Sequence, residues 1–261
     1  MTVENLETVG DLLREWRRRR RFSQLELAGE AEVSARHLSF VETGRATASR
    51  TMLMRLAERL DMPLRERNRL LLAAGFAPAH GERPLASPDM EQARAAVEEV
   101  LSGHAPYPAL AVDSGWNLVS ANAAVGPLLE GVSPELLQPP VNVLRLSLHP
   151  DGLAPRIDNL AEWRHHLLER LRREAEHSGN PGLEALRKEL AALPFRARKT
   201  PPRPANPVAV PMRLRVPGGP VLSLISTTTV FGTAIDVTLS ELTLECFYPA
   251  DGETRAYFLG S

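Results

Sequence analysis

A chain of 261 residues, 43% of them hydrophobic, can bury more than one sizeable core, so a multidomain architecture is expected. Its net charge of -1 is informative only when divided: residues 1–75 hold 14 Arg and 11 acids, a net of +3, and the remainder carries -4. Cys246 is the only cysteine, which excludes an intrachain disulfide and a cysteine-cluster metal site, and with no run of 18 apolar residues and no signal-type segment a cytoplasmic setting without membrane insertion is expected.

Residues 9–75 read as five short helices. Val9, Leu12, Leu13 and Trp16 recur on one helical face, while Arg14 and the arginines from 17 to 21 crowd the other. Such a cluster can steer a polyanion or simply solvate a helix. Ser23 followed three residues later by Glu26 has the spacing of a capping box and starts a second helix. Ser34 offers another cap, with Val33, Leu38 and Val41 as its buried anchors. That leaves Ser34, Ala35, Arg36 and Ser39 on the outer face, and His37 either beside them or packed beneath the helix. The polar stretch from Thr43 to Ser49 contains Gly44 and reads as a loop before a helix around Met52–Leu60. Pro63 suits the first turn of a fifth helix reaching Ala74. Repeated Gly and Pro between Gly75 and Pro88 mark a boundary. The division is therefore residues 1–76 as one domain, 77–104 as linker and connecting helix, and 105–261 as a second domain.

The second half has another texture. A helix over Met90–Leu101 precedes a strand, a turn at Asp113-Ser114-Gly115, a second strand and a helix start near Asn122. Ile157, Leu160, Trp163, Leu167, Leu168 and Leu171 form an apolar stripe along a helix from Arg156 to Glu176, and Leu183–Leu193 adds another. Three late segments look extended, Val208–Val216, Val221–Val230 and Leu239–Tyr248, with Gly218-Gly219 turning the first into the second. In the last of them Leu242, Leu244, Cys246 and Tyr248 share one side at period two. An α+β domain with an antiparallel sheet follows.

Two helices joined by a short turn can present one of them to the major groove of DNA while the other braces it. Gln24, at the start of the bracing helix, can donate to a phosphate. The run SQLELAGEAEVSARHLSFVETGRATAS resembles the helix-turn-helix of lambda-repressor-like, or Xre-type, regulators, matching their pattern at Gln24, Ala28, Val33 and Glu42-Thr43-Gly44-Arg45. The resemblance implies an all-α five-helix domain bound to a double-stranded DNA operator. Gln24 and Arg45 would then position the backbone, while exposed residues among Ser34, Ala35, Arg36, His37 and Ser39 read bases. Glu42 and Arg45 form a structural pair or cap, with Arg45 also approaching phosphate. Family members often carry glycine just before the post-turn apolar residue; this chain has Glu32.

The stretches PALAVDSGWNLVSANAA, NVLRLSLHPDG with NLAEWRHHLLERLRREA, and SLISTTTVFGTAIDVTLSELTLECFYPADGET resemble the C-terminal domain of MmyB-like transcription regulators. That implies a PAS-like fold holding a small hydrophobic ligand such as a fatty acid, with Trp116, Leu144, Leu146, Trp163, Leu167, Leu224 and Phe231 as apolar walls. Arg145, Arg164, His165 and His166 are candidate donors to a polar head. Such a domain can also supply the surface of a homodimer, and a ligand-independent scaffold that only dimerises is the alternative. Enzyme chemistry finds little support. His165-His166 with His104, His149 and His177 lack metal-ligand spacing, Asp158 and Glu162 read as a charged rim, and Ser223, Ser226 and Thr227 to Thr229 lack a base. No cofactor, metal or catalytic residue is expected.

Overall fold

A computed structural model of the chain describes residues 7–194 and 209–260. The chain divides into two compact units, Met1–Arg83 with Ala234–Val237, and Pro84–Thr233 with Thr238–Ser261.

The first unit holds α1 (Val9–Arg19), α2 (Gln24–Glu30), α3 (Ala35–Glu42), α4 (Arg50–Arg59) and α5 (Leu64–Ala73). Their starts are set by short polar side chains. Thr8 and Ser23 form capping boxes with Asp11 and Glu26, and Ser34 and Ser49 each accept the amide three residues on. Pro63 stands at the N-cap of α5, one position before its first turn, and makes no side-chain cap. All five helices end the same way. Arg21, Glu32, Gly44, Asp61 and Gly75 take left-handed backbone conformations just past the five C-termini. In each case the amide of that residue and the next reach back to close 5→2 and 6→1 bonds, as where Glu32 donates to Gly29 O at 3.2 Å and Val33 to Ala28 O at 2.9 Å. Leu12, Leu13, Trp16, Leu27, Leu38, Leu53, Leu56 and Leu70 fill the core between the helices. Gly10 lets α1 cross the end of α3 closely, because a Cβ there would come within 2.8 Å of the Glu42 carbonyl carbon and 2.9 Å of Val41 O.

The second unit opens with α6 (Glu91–Gly103) and β1 (Ala109–Val112), followed by β2 (Leu118–Ala121), α7 (Val143–Leu148), α8 (Leu160–Ser178) and α9 (Pro181–Ala192). It finishes with β3 (Met212–Arg215), β4 (Val221–Val230), the single turn α10 (Val237–Ser240), whose first residue counts with the first unit, β5 (Thr243–Pro249) and α11 (Gly252–Leu259). The expected strand from Val208 begins at Met212; Val208 itself lies outside the described residues. The strands form one five-stranded antiparallel sheet in the order β2-β1-β5-β4-β3. Alternation sorts its faces. Ala109, Ala111, Leu244 and Cys246 point to one side and pack with Val97 and Leu101 of α6, so the helix read from sequence as a connector covers the sheet. Leu110, Val112, Met212, Leu214, Leu222 and Leu224 point to the other, where Trp163, Leu167 and Leu171 of α8 and Leu186 and Leu190 of α9 meet them. Asparagines staple the elements. Asn122 donates to Leu101 O and Tyr107 O, and Asn159 accepts from Arg213 N at 3.0 Å and donates to Pro211 O at 2.8 Å.

Candidate functional sites

In the first unit α2, the turn through Glu32 and α3 form a pair of short helices; Arg36 is the exposed residue of α3, and Ser34 at its cap is exposed as well. α3 has eight residues, about 12 Å of helix, and like any α-helix its diameter of about 10–12 Å with side chains suits the B-DNA major groove. Leu38 and Val41 anchor it in the core, with Ala35 and Phe40 at the margin. Ser34 caps the helix and is exposed; Arg36 is exposed, its guanidinium 5.3 Å from the Phe40 ring centre. His37 and Ser39 are half-buried, and Ser39 O receives the Thr43 hydroxyl at 2.8 Å. Arg45 is exposed on the loop that follows, its amide closing the end of α3 on Phe40 O.

Behind this face sits an ion pair that sequence reasoning did not identify. Glu42 is only 3% exposed. Its carboxylate accepts Arg17 Nε at 2.7 Å, Arg17 Nη2 at 2.9 Å and Gln24 Nε2 at 2.8 Å, while its backbone oxygen accepts the Arg14 guanidinium. Burial alone would raise the Glu42 pKa, but the bonds from Arg17 and Gln24 and the charges of Arg17 and Arg14 hold it below the ordinary value. Gln24 therefore has one amide hydrogen committed to Glu42. The Glu42 pairing expected for Arg45 is made by Arg17 instead. At the start of α2, Glu26 accepts Ser23 N at 2.8 Å, so one first-turn donor that a phosphate could use is already bonded.

The second unit contains a cavity of about 100 Å³ between the inner face of the sheet, α7 and α8. Trp116, Leu144, Leu146, Trp163 and Leu167 line it together; Leu224 and Phe231 do not. Leu224 is fully buried in the main core beside the cavity, and Phe231 packs on the α6 side of the sheet. The candidate donors also lie elsewhere. Arg145 pairs with Glu189 at 2.6 and 2.8 Å, and Arg164 donates to Leu190 O and Ala191 O at the end of α9. His165 is exposed, and His166 stacks on Trp163 with centroids 5.5 Å apart. Burial, then the nearby Arg170 and Arg173 charges, lower the His166 pKa and favour its neutral form. The polar liners are Ser147, Arg170, Ser226 and Glu245, of which Ser147 accepts the Trp163 indole N–H at 3.0 Å. Two of these had a legible signal. Arg170 follows Trp163 and Leu167 at helical spacing, and Glu245 is an acid inside an otherwise apolar strand.

Residues 93–258 match the model of the MmyB-like transcription regulator ligand binding domain, and residues 8–70 match that of a helix-turn-helix domain. The chain belongs to the MmyB-like family of transcription regulators. No curated relative matches it. As a family member it is a DNA-binding transcription regulator with a ligand-binding domain, and the five-stranded antiparallel α+β unit is the MmyB-like domain in this chain. No helix among the described residues is long and apolar enough to cross a membrane. No group of three or more His, Cys, Asp and Glu side chains among them could hold a metal ion.

Proposed function

We propose that this MmyB-like regulator binds a double-stranded operator as a homodimer in the cytoplasm and is modulated by a small hydrophobic ligand, a fatty-acid-like molecule being the family precedent. In this reading Arg36 and Ser39 read base edges, Ser34, Ala35 and His37 shape the contact, and Gln24 and Arg45 position the phosphate backbone. Dimerisation supplies the second recognition helix that a palindromic site requires. The second domain acts by binding rather than catalysis.

The apolar cavity beside the sheet carries the ligand half of this proposal. At about 100 Å³ it is smaller than pockets for drug-sized molecules, which run to about 300–1,000 Å³, so its guest is slim or widens the cavity on entry. A ligand alters operator affinity only through different affinity for the DNA-bound and free states. The test is selection of an operator from random duplex DNA, followed by affinity measurements on ligand-stripped and ligand-saturated full-length protein. A change in operator affinity on saturation supports the sensor; an unchanged affinity favours the ligand-independent dimeric scaffold. Failure to select any sequence above random DNA overturns the operator reading.

A further inference from the structure

Residues Ala234 to Val237, part of the connection between β4 and β5, count with the first unit. Most hairpin connections take about 2–5 residues, whereas the one from Val230 to Thr243 is long enough to hold the α10 turn as well. Its passage through the first unit is fixed by specific bonds. Val237 N donates to Gly81 O at 2.8 Å, and the His80 ring Nδ1 faces Ile235 O at 3.3 Å. Asp236 is buried with Oδ2 3.8 Å from Arg83 Nε, and a Cβ on Gly81 would approach that oxygen to 3.0 Å. Asn68 of α5, itself buried, holds the receiving strip in place. Its Oδ1 accepts Ala79 N at 2.9 Å and His80 N at 3.0 Å, and its Nδ2 donates to His80 O at 2.8 Å. The same helix sends Leu70 and Leu71 into the core that anchors Leu38 and Val41 of α3.

The strands at the two ends of the connection belong to the cavity wall, β4 through Ser226 and β5 through Glu245 and Phe247. Neither flank is slack. Phe231 on one side, and Leu239 and Leu242 on the other, pack into the layer that holds Leu244 and Cys246. We propose that residues 234–237 are the element through which occupancy of the cavity acts on the helix-turn-helix unit. The inference rests on the reading of the protein as a ligand-modulated regulator. A guest that widens a cavity of about 100 Å³ displaces the strands of its wall, because a close-packed interior passes strain on rather than absorbing it. From β4 and β5 the displacement follows the chain to the bond between Val237 and Gly81, and from His80 through Asn68 to α5. Empty and occupied states then differ in the free energy of these bonds, and the coupling is reciprocal: operator DNA changes ligand affinity by the same factor as ligand changes operator affinity.

Decanoate is the probe, added to delipidated full-length protein and followed by hydrogen exchange of individual amides. On saturation the amides of Val237, Ala79 and His80 should change their exchange rates about fivefold or more, along with those of β4 and β5. Altered exchange in β4 and β5 with none at these positions overturns the proposal. This measurement needs no substitution, so it stands even where a variant fails to fold. Two variants then interrupt the path outside both the cavity and the recognition helix. Asn68→Ala releases His80, and Val237→Pro removes the N–H bonded to Gly81 O at the first position of α10, where proline is tolerated. In each, the effect of saturating decanoate on operator affinity should fall from about fivefold or more to below about twofold, with decanoate affinity itself kept within about threefold. Undiminished coupling in both folded variants overturns the proposal. Decanoate that binds the unsubstituted protein without altering operator affinity overturns the sensor reading, and the proposal with it. Absence of decanoate binding to protein that circular dichroism shows to be folded overturns the fatty-acid-like reading and the proposal together.

Discussion

Glu42→Ala tests the reasoning most directly, because one side chain holds α1, α2 and α3 together. The substitution removes a carboxylate that is 3% exposed and accepts three side-chain hydrogen bonds, leaving the Arg17 guanidinium and the Gln24 amide without that partner. Breaking a buried ion pair from one side costs about 3–5 kcal/mol. Arg17 is 12% exposed and retains its bond to Phe22 O at 3.0 Å, which places the expected loss at the lower end, about 3 kcal/mol. A chain with two compact units need not unfold in one step, so native-state hydrogen exchange is the suitable assay. Amides of α1 and α3 should exchange about a hundredfold faster while those of β1 and β5 keep their protection. A change below about 0.5 kcal/mol in α1 and α3 would refute the reasoning. The pair Arg17→Met with Glu42→Leu should recover most of the loss, since apolar replacement of both partners removes the stranded charge. The pH dependence has a definite sign. The folded Glu42 pKa is depressed from 4.5, so the stabilisation is complete above that value and disappears as pH falls through the lower, folded one. In Glu42→Gln this part of the acid limb should be absent.

Arg36→Ala should weaken operator binding by about 1–3 kcal/mol and relax specificity, with a smaller loss on scrambled DNA; equal losses on both would remove Arg36 from base reading. Glu32→Gly should raise the stability of the first unit by about 0.5–1 kcal/mol in denaturant titrations, because it relieves a left-handed backbone at φ 52° and offsets that gain only partly through unfolded-state entropy; a net loss would show that Glu32 is held by something other than the turn. Leu167→Trp should fill the cavity and weaken ligand binding about tenfold or more while circular dichroism shows the fold retained; unaltered binding would put the ligand elsewhere.

The ends of elements explain what could be read from the chain in advance. Helix starts were legible, since Ser23 with Glu26 and Ser34 with its apolar followers signal caps by side-chain chemistry. Helix ends were half legible. Gly44 and Gly75 announce left-handed positions, but Arg21, Glu32 and Asp61 occupy equivalent ones without the residue type that favours them, because the paired backbone bonds and packing around each turn decide the geometry. α7, with six residues, is too short to show a period, and in α11 the apolar residues from Ala256 to Leu259 run consecutively and form no helical stripe. The cavity was legible as a set of apolar residues on α7, α8 and the first hairpin, and not as a volume. Leu224 shares the inner face with cavity liners yet lies fully within the core, and Phe231 falls on the other side of the sheet. Which apolar residue borders empty space depends on how neighbouring side chains fill the layer, a property of the packed ensemble rather than of any one strand.

The arginines show why charge counted along a sequence overstates charge offered to a polyanion. Arg14 and Arg20 belong to the cluster that gives the first 75 residues their net of +3, yet both point inward to carbonyls at helix ends. Arg14 reaches Glu42 O at the end of α3, and Arg20 reaches Leu60 O and Asp61 O, each at 2.8 Å, at the end of α4. These are the acceptors that a helix leaves unsatisfied at its C-terminus, where a cation also meets the favourable end of the backbone dipole. Arg17 is held by Glu42 and Arg170 by Glu245, so in both units a guanidinium joins a helix to another element through a carboxylate. Under the proposed operator reading, exposed arginines such as Arg36 and Arg45, with Arg18 and Arg21 on and after α1, are the candidates to displace counterions from DNA. It follows that the salt dependence of operator binding should track substitutions in this exposed set. Removal of Arg14 or Arg20 should act instead through the stability of the helices they terminate.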